Sequence, residues 1–326
     1  MAEQVALALA RLEKSFLRRE KIISPVERQH ISQGKSDKCS VEPPSKSNAI
    51  REFFLADMFD FSLKCDSNSL QAPIFSLSTK LDTRVWEWRS KDGKSYIRVV
   101  PSVLGRATQH DKDILIFAIS QLVEGLNRGR ADAKNRTVRF KAHDLLVTTN
   151  RQVSGDGYRR LREALERLCS TTILTNIHAG GRRFSEGFGL LDKWRIVEQS
   201  DSDTRMAAID ITLSEWLFSA VRSLDVLTLD PAYFQLRSPL SRRIYEIARK
   251  QCGSKPQWTI GLELLRARAG SFSTPREFRR KLRAIEKGND LPGYQLKLDA
   301  GDKVTFYSVQ TTKPRNGTKS GRIDSA

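Results

Sequence analysis

Between Ser273 and Asn289 the cationic and apolar residues are spaced as a helix would need them. Phe278, Leu282 and Ile285 recur at intervals of four and three, and Arg276, Arg280, Arg283 and Lys287 recur at similar intervals out of phase with them. At about 100° per residue the two sets fall on opposite sides of one helix. Thr274-Pro275-Arg276-Glu277 supplies its start: a hydroxyl to cap, a proline for the first helical position, and a carboxylate placed to close a capping box. A row of guanidinium and ammonium groups recognises anions. It attracts phosphates by charge, and an arginine can also read the edge of guanine. Arg-rich faces also occur as plain solvated surface or as seats for acidic proteins, but a solvated face ordinarily mixes signs and this one does not.

The bias extends beyond that segment. The 326-residue chain has a formal net charge of +18. From Leu236 to Asn289, fourteen Lys/Arg stand against four Asp/Glu, an excess of ten and more than half of the whole surplus in about a sixth of the chain. Charge clustered in this way argues for a binding surface rather than for general solubility. Arg279 lies beside the row. Arg242 and Arg243 lie on a preceding helix opened by Ser238-Pro239, where spacing allows either phosphate contact or pairing with Glu246 and Glu263.

Other chemistries are poorly supplied. Gly93-Lys94-Ser95 and Gly34-Lys35-Ser36 end like phosphate-binding loops, but Trp88 and Gln29 stand where the first glycine belongs. His30, His110, His143 and His178 are isolated, with no H-x-H pair for metal-dependent strand nicking, and Cys39, Cys65, Cys169 and Cys252 form no C-x-x-C. No catalytic residue, metal or cofactor is expected. There is no signal-peptide pattern and no 18-residue apolar run, so a cytoplasmic protein with reduced thiols is the expectation.

The elements that would carry the cations repeat along the chain. Residues 1–48 read as an N-terminal extension and linker, expected to be disordered apart from a short amphipathic helix over Val5 to Ile23, and residues 311–326 read as a basic tail. In between, strand-like pieces at Ile74–Leu77, Val85–Trp88 and Tyr96–Val100 precede a long apolar helix near 111–126. A strand, a short helix, a second helix near 156–170 and a hairpin around Ala179-Gly180-Gly181 follow. The order helix, strand, helix, helix, hairpin then recurs, with Leu145-Leu146 and Tyr158-Arg159-Arg160 echoed by Leu264-Leu265 and Phe278-Arg279-Arg280 at an offset of 119 to 120 residues. This is a helix-turn-helix followed by a β wing, twice. The expected fold is α+β, two tandem winged-helix modules with flanking strands, divided as 49–205 and 206–310.

The first module's counterpart helix is more mixed. Arg159, Arg160 and Arg167 share its outer face with Asp156 and Glu163, which suits a weaker phosphate binder or a partner-facing or self-association surface. Arg182 and Arg183 flank the first hairpin tip and Lys303 the second, where wings commonly reach phosphate and where ordinary hairpins are also polar. Trp86 and Trp88 alternate toward one sheet face, with core packing expected over base stacking.

The segment Leu236-Arg-Ser-Pro-Leu-Ser-Arg-Arg-Ile-Tyr-Glu-Ile-Ala-Arg-Lys-Gln-Cys-Gly253 resembles plasmid replication initiators of the proteobacterial "replication initiator protein A" type, as do Trp258-Thr-Ile-Gly-Leu262, Arg276-Glu-Phe-Arg279 and Asn289-Asp-Leu-Pro-Gly-Tyr294. The resemblance covers about 50–310. It implies binding to repeated double-stranded DNA sites at a plasmid origin, opening of the duplex, recruitment of host replication initiation proteins and helicase, and a change between dimer and monomer. The DNA-binding set is then Arg276, Arg279, Arg280, Arg283 and Lys287, joined by Arg159, Arg160, Arg167, Arg182, Arg183, Arg242 and Arg243. The rival readings are a winged-helix transcription regulator or partition protein without initiator activity, a nuclease or primase with unrecognised carboxylates, and a basic RNA-binding protein.

Overall fold

In chain order the first half contains β1 (Phe54–Leu55), β2 (Lys64–Asp66), α1 (Ser67–Gln71), β3 (Trp86–Arg89), β4 (Tyr96–Val100), α2 (Lys112–Asn127), β5 (Thr137–Phe140), α3 (Ala142–Thr148) and α4 (Gly155–Ser170). It continues through β6 (Thr172–Ala179), β7 (Arg182–Phe188), β8 (Leu191–Ser200), β9 (Asp203–Leu213) and α5 (Glu215–Arg222). The second half contains β10 (Val226–Thr228), α6 (Pro239–Gln251), β11 (Gln257–Gly261), α7 (Leu262–Ala269), α8 (Pro275–Gly288), β12 (Tyr294–Leu298) and β13 (Lys303–Ser308). This computed structural model describes residues 53–56, 61–89, 95–179, 182–200 and 203–309. The extension expected over 1–48 and the tail over 311–326 lie outside the described residues.

The pattern of apolar residues explains the layout. Helix α2 is apolar most of the way round, and Ile114, Leu115, Phe117, Ala118, Ile119 and Leu122 are all buried, so it forms the spine of the first core. Helix α6 is buried along nearly its whole length and plays the same part in the second core. It begins where Ser238 accepts a hydrogen bond from the Ser241 amide and Pro239 fills the first turn. Helix α3 packs beside α2 as α7 packs beside α6, and α4 and α8 follow at corresponding places in the chain and join the respective cores, so the repeat read from the sequence is a structural repeat.

The sheets correct one part of that reading. Strand β11 pairs with β13, and β13 with β12, giving the order β11-β13-β12. In the first half β5 pairs with β9, and β9 with β8. The topological counterpart of the second wing is therefore β8–β9. The hairpin β6–β7, whose tip carries Arg182 and Arg183, belongs to a separate four-stranded sheet of order β3-β4-β6-β7. In the sequence it has the local signature of a wing, as the first pair of strand-like segments after the helix, separated by Gly180-Gly181. Trp88 of that sheet is buried and Trp86 packs against the core, so neither is presented to a base. Ile74–Leu77, expected as a strand, is irregular, with one bridge from Ser76 to Thr108.

The two cores also divide differently from the expected boundary at 205/206. Ile209, Ile211 and Leu213 of β9, and Trp216, Leu217 and Val221 of α5, belong to the first core. Conversely Leu63, Cys65 and Leu70 lie in the second, where β2 pairs with β10 and α1 lies against α6. Cys65 and Cys252 are free buried thiols. Among the described residues no helix is long and apolar enough to cross a membrane, and no group of His, Cys, Asp or Glu could hold a metal ion.

Candidate nucleic-acid interface

Helix α8 has the two faces that its spacing predicts. Thr274 caps it by accepting from the Glu277 amide at 3.3 Å, with Pro275 in the first turn, and Asn289 closes it in the left-handed conformation at φ 46°. Phe278, Leu282 and Ile285 point into the second core. Arg276, Arg280, Arg283 and Lys287 are exposed. Glu277 does not complete the capping box: its carboxylate takes Arg280 Nε and Nη2 at 2.8 and 2.7 Å, and these bonds from Arg280 hold its pKa below the ordinary glutamate value. Arg276, Arg283 and Lys287 have no side-chain partner among the described residues, so three of the four cations in the row are uncompensated.

Arg279 has a different task. Its guanidinium grips Asp302 with Nε to Oδ1 at 2.9 Å and a second bond from Nη2 to Oδ2. Asp302 sits in the β12–β13 turn in the left-handed conformation at φ 58°, and its carbonyl accepts from the Leu262 amide at 2.8 Å. The wing is thus tied both to α8 and to the start of α7, which fixes the position of Lys303 relative to the cationic face. Asp302→Ala should leave the helix face in place but shrink the wing-side part of a DNA footprint, and the swap Arg279→Asp/Asp302→Arg should restore it. Unchanged footprints in both would remove this role.

Helix α4 is a weaker counterpart. Arg159 pairs with Asp156 and Glu163, and Arg160 Nη2 lies 2.7 Å from Asp156. Arg167 is turned inward and bonds Asp111 through Nε and Nη2 at 2.8 and 2.9 Å. Arg159 and Arg160 remain exposed and could exchange these partners for phosphate, whereas Arg167 serves the fold. Arg182 and Arg183 stand opposite Ala179 and His178 at the β6–β7 tip.

Arg242 and Arg243 are not on a DNA-facing surface. They are 3% and 2% exposed. Arg242 meets Asp113 of α2 at 2.5 Å and donates to the Leu236 carbonyl at 2.6 Å. Arg243 reaches Glu246 at 3.2 Å and donates to the carbonyls of Leu70 and Arg268, each at 2.9 Å. Sequence reasoning missed this because the acid that claims Arg242 lies on another helix, 129 residues away. A buried guanidinium must be paired and hydrogen-bonded, and both are.

The comparisons agree with this architecture. The family model described as "Replication initiator protein A" matches residues 64–296. A curated protein of Wigglesworthia glossinidia brevipalpis, described as "Putative replication protein", is 35% identical over 264 residues, covering 80% of this chain and 94% of that protein. Among solved structures, a selenomethionine crystal structure of domains 2 and 3 of RctB superposes with a TM-score of 0.53 at 15% identity, over 74% of this chain and 98% of that one. A second crystal structure of the same RctB domains gives 0.50 at 16% identity, over 72% and 92%. At that identity the likeness concerns the fold alone: an α+β chain of two tandem winged-helix modules.

Proposed function

Because the chain belongs to the replication initiator protein A family, we propose that it binds repeated double-stranded DNA sites at a plasmid origin, with the exposed face of α8 in the major groove. The observation that carries this reading is the row Arg276, Arg283 and Lys287, same-signed and unpaired on the second helix of a helix-turn-helix. Helix α4, with its balanced charges, reads a neighbouring stretch of the same site more weakly. The protein acts by binding and carries no catalytic residue. Recruitment of host replication proteins and a helicase, and formation of a homodimer, belong to this reading on the strength of the family alone.

Salt dependence tests it. The logarithm of affinity should fall linearly with the logarithm of salt concentration, with a slope of about −0.9 per phosphate neutralised. Replacing Arg276 and Lys287 by Ala should flatten that slope by about 1.8 and weaken binding to every duplex. Footprinting on DNA flanking the gene supplies the site for the titration. An unaltered slope in the double variant would take α8 off the DNA, and loss of binding to RNA but not to duplex repeats would favour an RNA-binding protein.

A further inference from the structure

The seam between the two modules carries cations that neither recognition helix accounts for. The segment 77–84 of the first module lies against the turn of the second module's helix-turn-helix. Gly270 in that turn, at φ +69°, comes so close to Pro73 that an added Cβ would stand 2.5 Å from the proline ring. The Arg84 guanidinium stacks 4.2 Å from the centre of the Phe272 ring, across the seam. Behind it Arg106 is 2% exposed and touches Asp82 through Nη2 alone, at 3.3 Å, while its Nε and Nη1 are buried without a hydrogen-bond partner. Lys281, on the flank of α8, opens into the same cleft.

This cleft is positively biased and continuous with both reading helices. Its lining contains three cations, Arg84, Arg106 and Lys281, and one acid, Asp82, which Arg84 and Arg106 already share. Asp82 and Arg106 also line the neighbouring groove, which runs past Lys80 to Arg159 and Arg160 of α4. Lys80 is exposed and has no side-chain partner among the described residues. A continuous path therefore leads from the N-terminal part of α4, across Lys80 and Arg84, to Lys281 and α8.

We propose that this seam is a phosphate seat, in which Lys80, Arg84 and Lys281 hold the sugar-phosphate backbone of the duplex between the stretches read by α4 and α8. The proposal rests on the DNA-binding reading above and adds a third contact region to it. Arg106 acts as a positioning residue: with the Ser76 hydroxyl it holds the Asp82 carboxylate from behind, and Asp82 in turn aims Arg84 through a 2.8 Å bond to Nε. A phosphodiester suits the cleft better than a free nucleotide. Arg84 already covers the ring of Phe272, the aromatic side chain among the described residues that line the cleft, so that ring is taken before a base could stack on it.

The test uses the full chain and a duplex spanning the footprint, with neutral methylphosphonates at the positions between the two protected major-groove stretches. Lys80→Ala/Arg84→Ala should bind the unmodified duplex about tenfold more weakly and flatten the salt slope by about 1.8. Methylphosphonates should weaken the wild type and leave the double variant unchanged. Lys80→Ala alone carries the test if removing Arg84 lowers the melting temperature, because Lys80 supports no other side chain. Affinity of the double variant within twofold of wild type, or an equal methylphosphonate penalty in both proteins, would overturn the proposal. So would a saturable thermal stabilisation by ATP that Arg84→Ala abolishes, which would make the seam a nucleotide site. A wild type that binds no duplex at all would instead sink the DNA-binding reading itself.

Discussion

Glu246→Ala should cost about 3–5 kcal/mol of folding stability, the loss expected when one partner of a buried ion pair is removed. The Glu246 carboxylate is fully buried. It lies 2.9 Å from Lys112 Nζ and 3.2 Å from Arg243 Nη1, and accepts hydrogen bonds from the Tyr233 hydroxyl at 2.8 Å and from Gln109 Nε2. Burial alone would lower the pKa of Lys112, but the acidic groups of Cys65, Glu246 and Asp66 around it outweigh that and raise it. Without Glu246 two buried cations lose their shared counter-ion. Since domains are stable by only about 5–15 kcal/mol, urea unfolding of the variant should show a much lower midpoint. The double change Glu246→Met/Lys112→Met should recover part of the loss, because apolar groups of similar volume often replace a buried pair at little cost. A single variant within about 1 kcal/mol of wild type would mean that the network does not hold the modules together.

The second large effect separates the two faces of α8. Leu282 is fully buried in the second core, and Leu282→Ala should cost about 2–5 kcal/mol of stability, losing DNA binding only as the fold is lost. Arg283, one residue on, is exposed and unpaired, so Arg283→Ala should melt within about 0.5 kcal/mol of wild type and still bind DNA poorly. Melting curves and a DNA titration of both variants decide it. An early-melting Arg283→Ala, or a normally folded Leu282→Ala that loses only DNA, would refute the assignment of faces.

The parts of the molecule that could be read from the chain were those set by neighbours in sequence. Helix α8 was legible in its start, its core stripe and its exposed row, which all lie within sixteen residues of one another, although Arg280 takes the carboxylate expected to close the capping box. The duplication was legible because its helices repeat the same local signals. What escaped was long-range. The spacing allows Arg243 to pair with Glu246, three residues on, but nothing local announces that Asp113 of the first module claims Arg242 and that both arginines are buried. Which hairpin serves as the first wing depends on β5 choosing β9 as its partner, a pairing across 71 residues. The expected cations are therefore exposed where exposure follows from helical period, as at Arg276, Arg280, Arg283 and Lys287, and buried where packing between modules decides, as at Arg242 and Arg243.

The crossing of β2 and α1 into the second core has a consequence for synthesis. Leu63, Cys65 and Leu70 leave the ribosome early, yet they pack against Tyr233, Ile244 and Tyr245, which are made much later. At about 5–20 residues per second the delay from residue 70 to residue 245 is roughly 9–35 s. During that interval the early segment is a short apolar strip without its cover, next to a first core that already has most of its residues. A nascent chain halted near residue 225 should accordingly be cleaved by protease between 61 and 72 while α2 to α4 resist, and the completed chain should be protected there. The second module closes over a piece of the first, so the reading head on α8 is assembled only when the whole protein has been made.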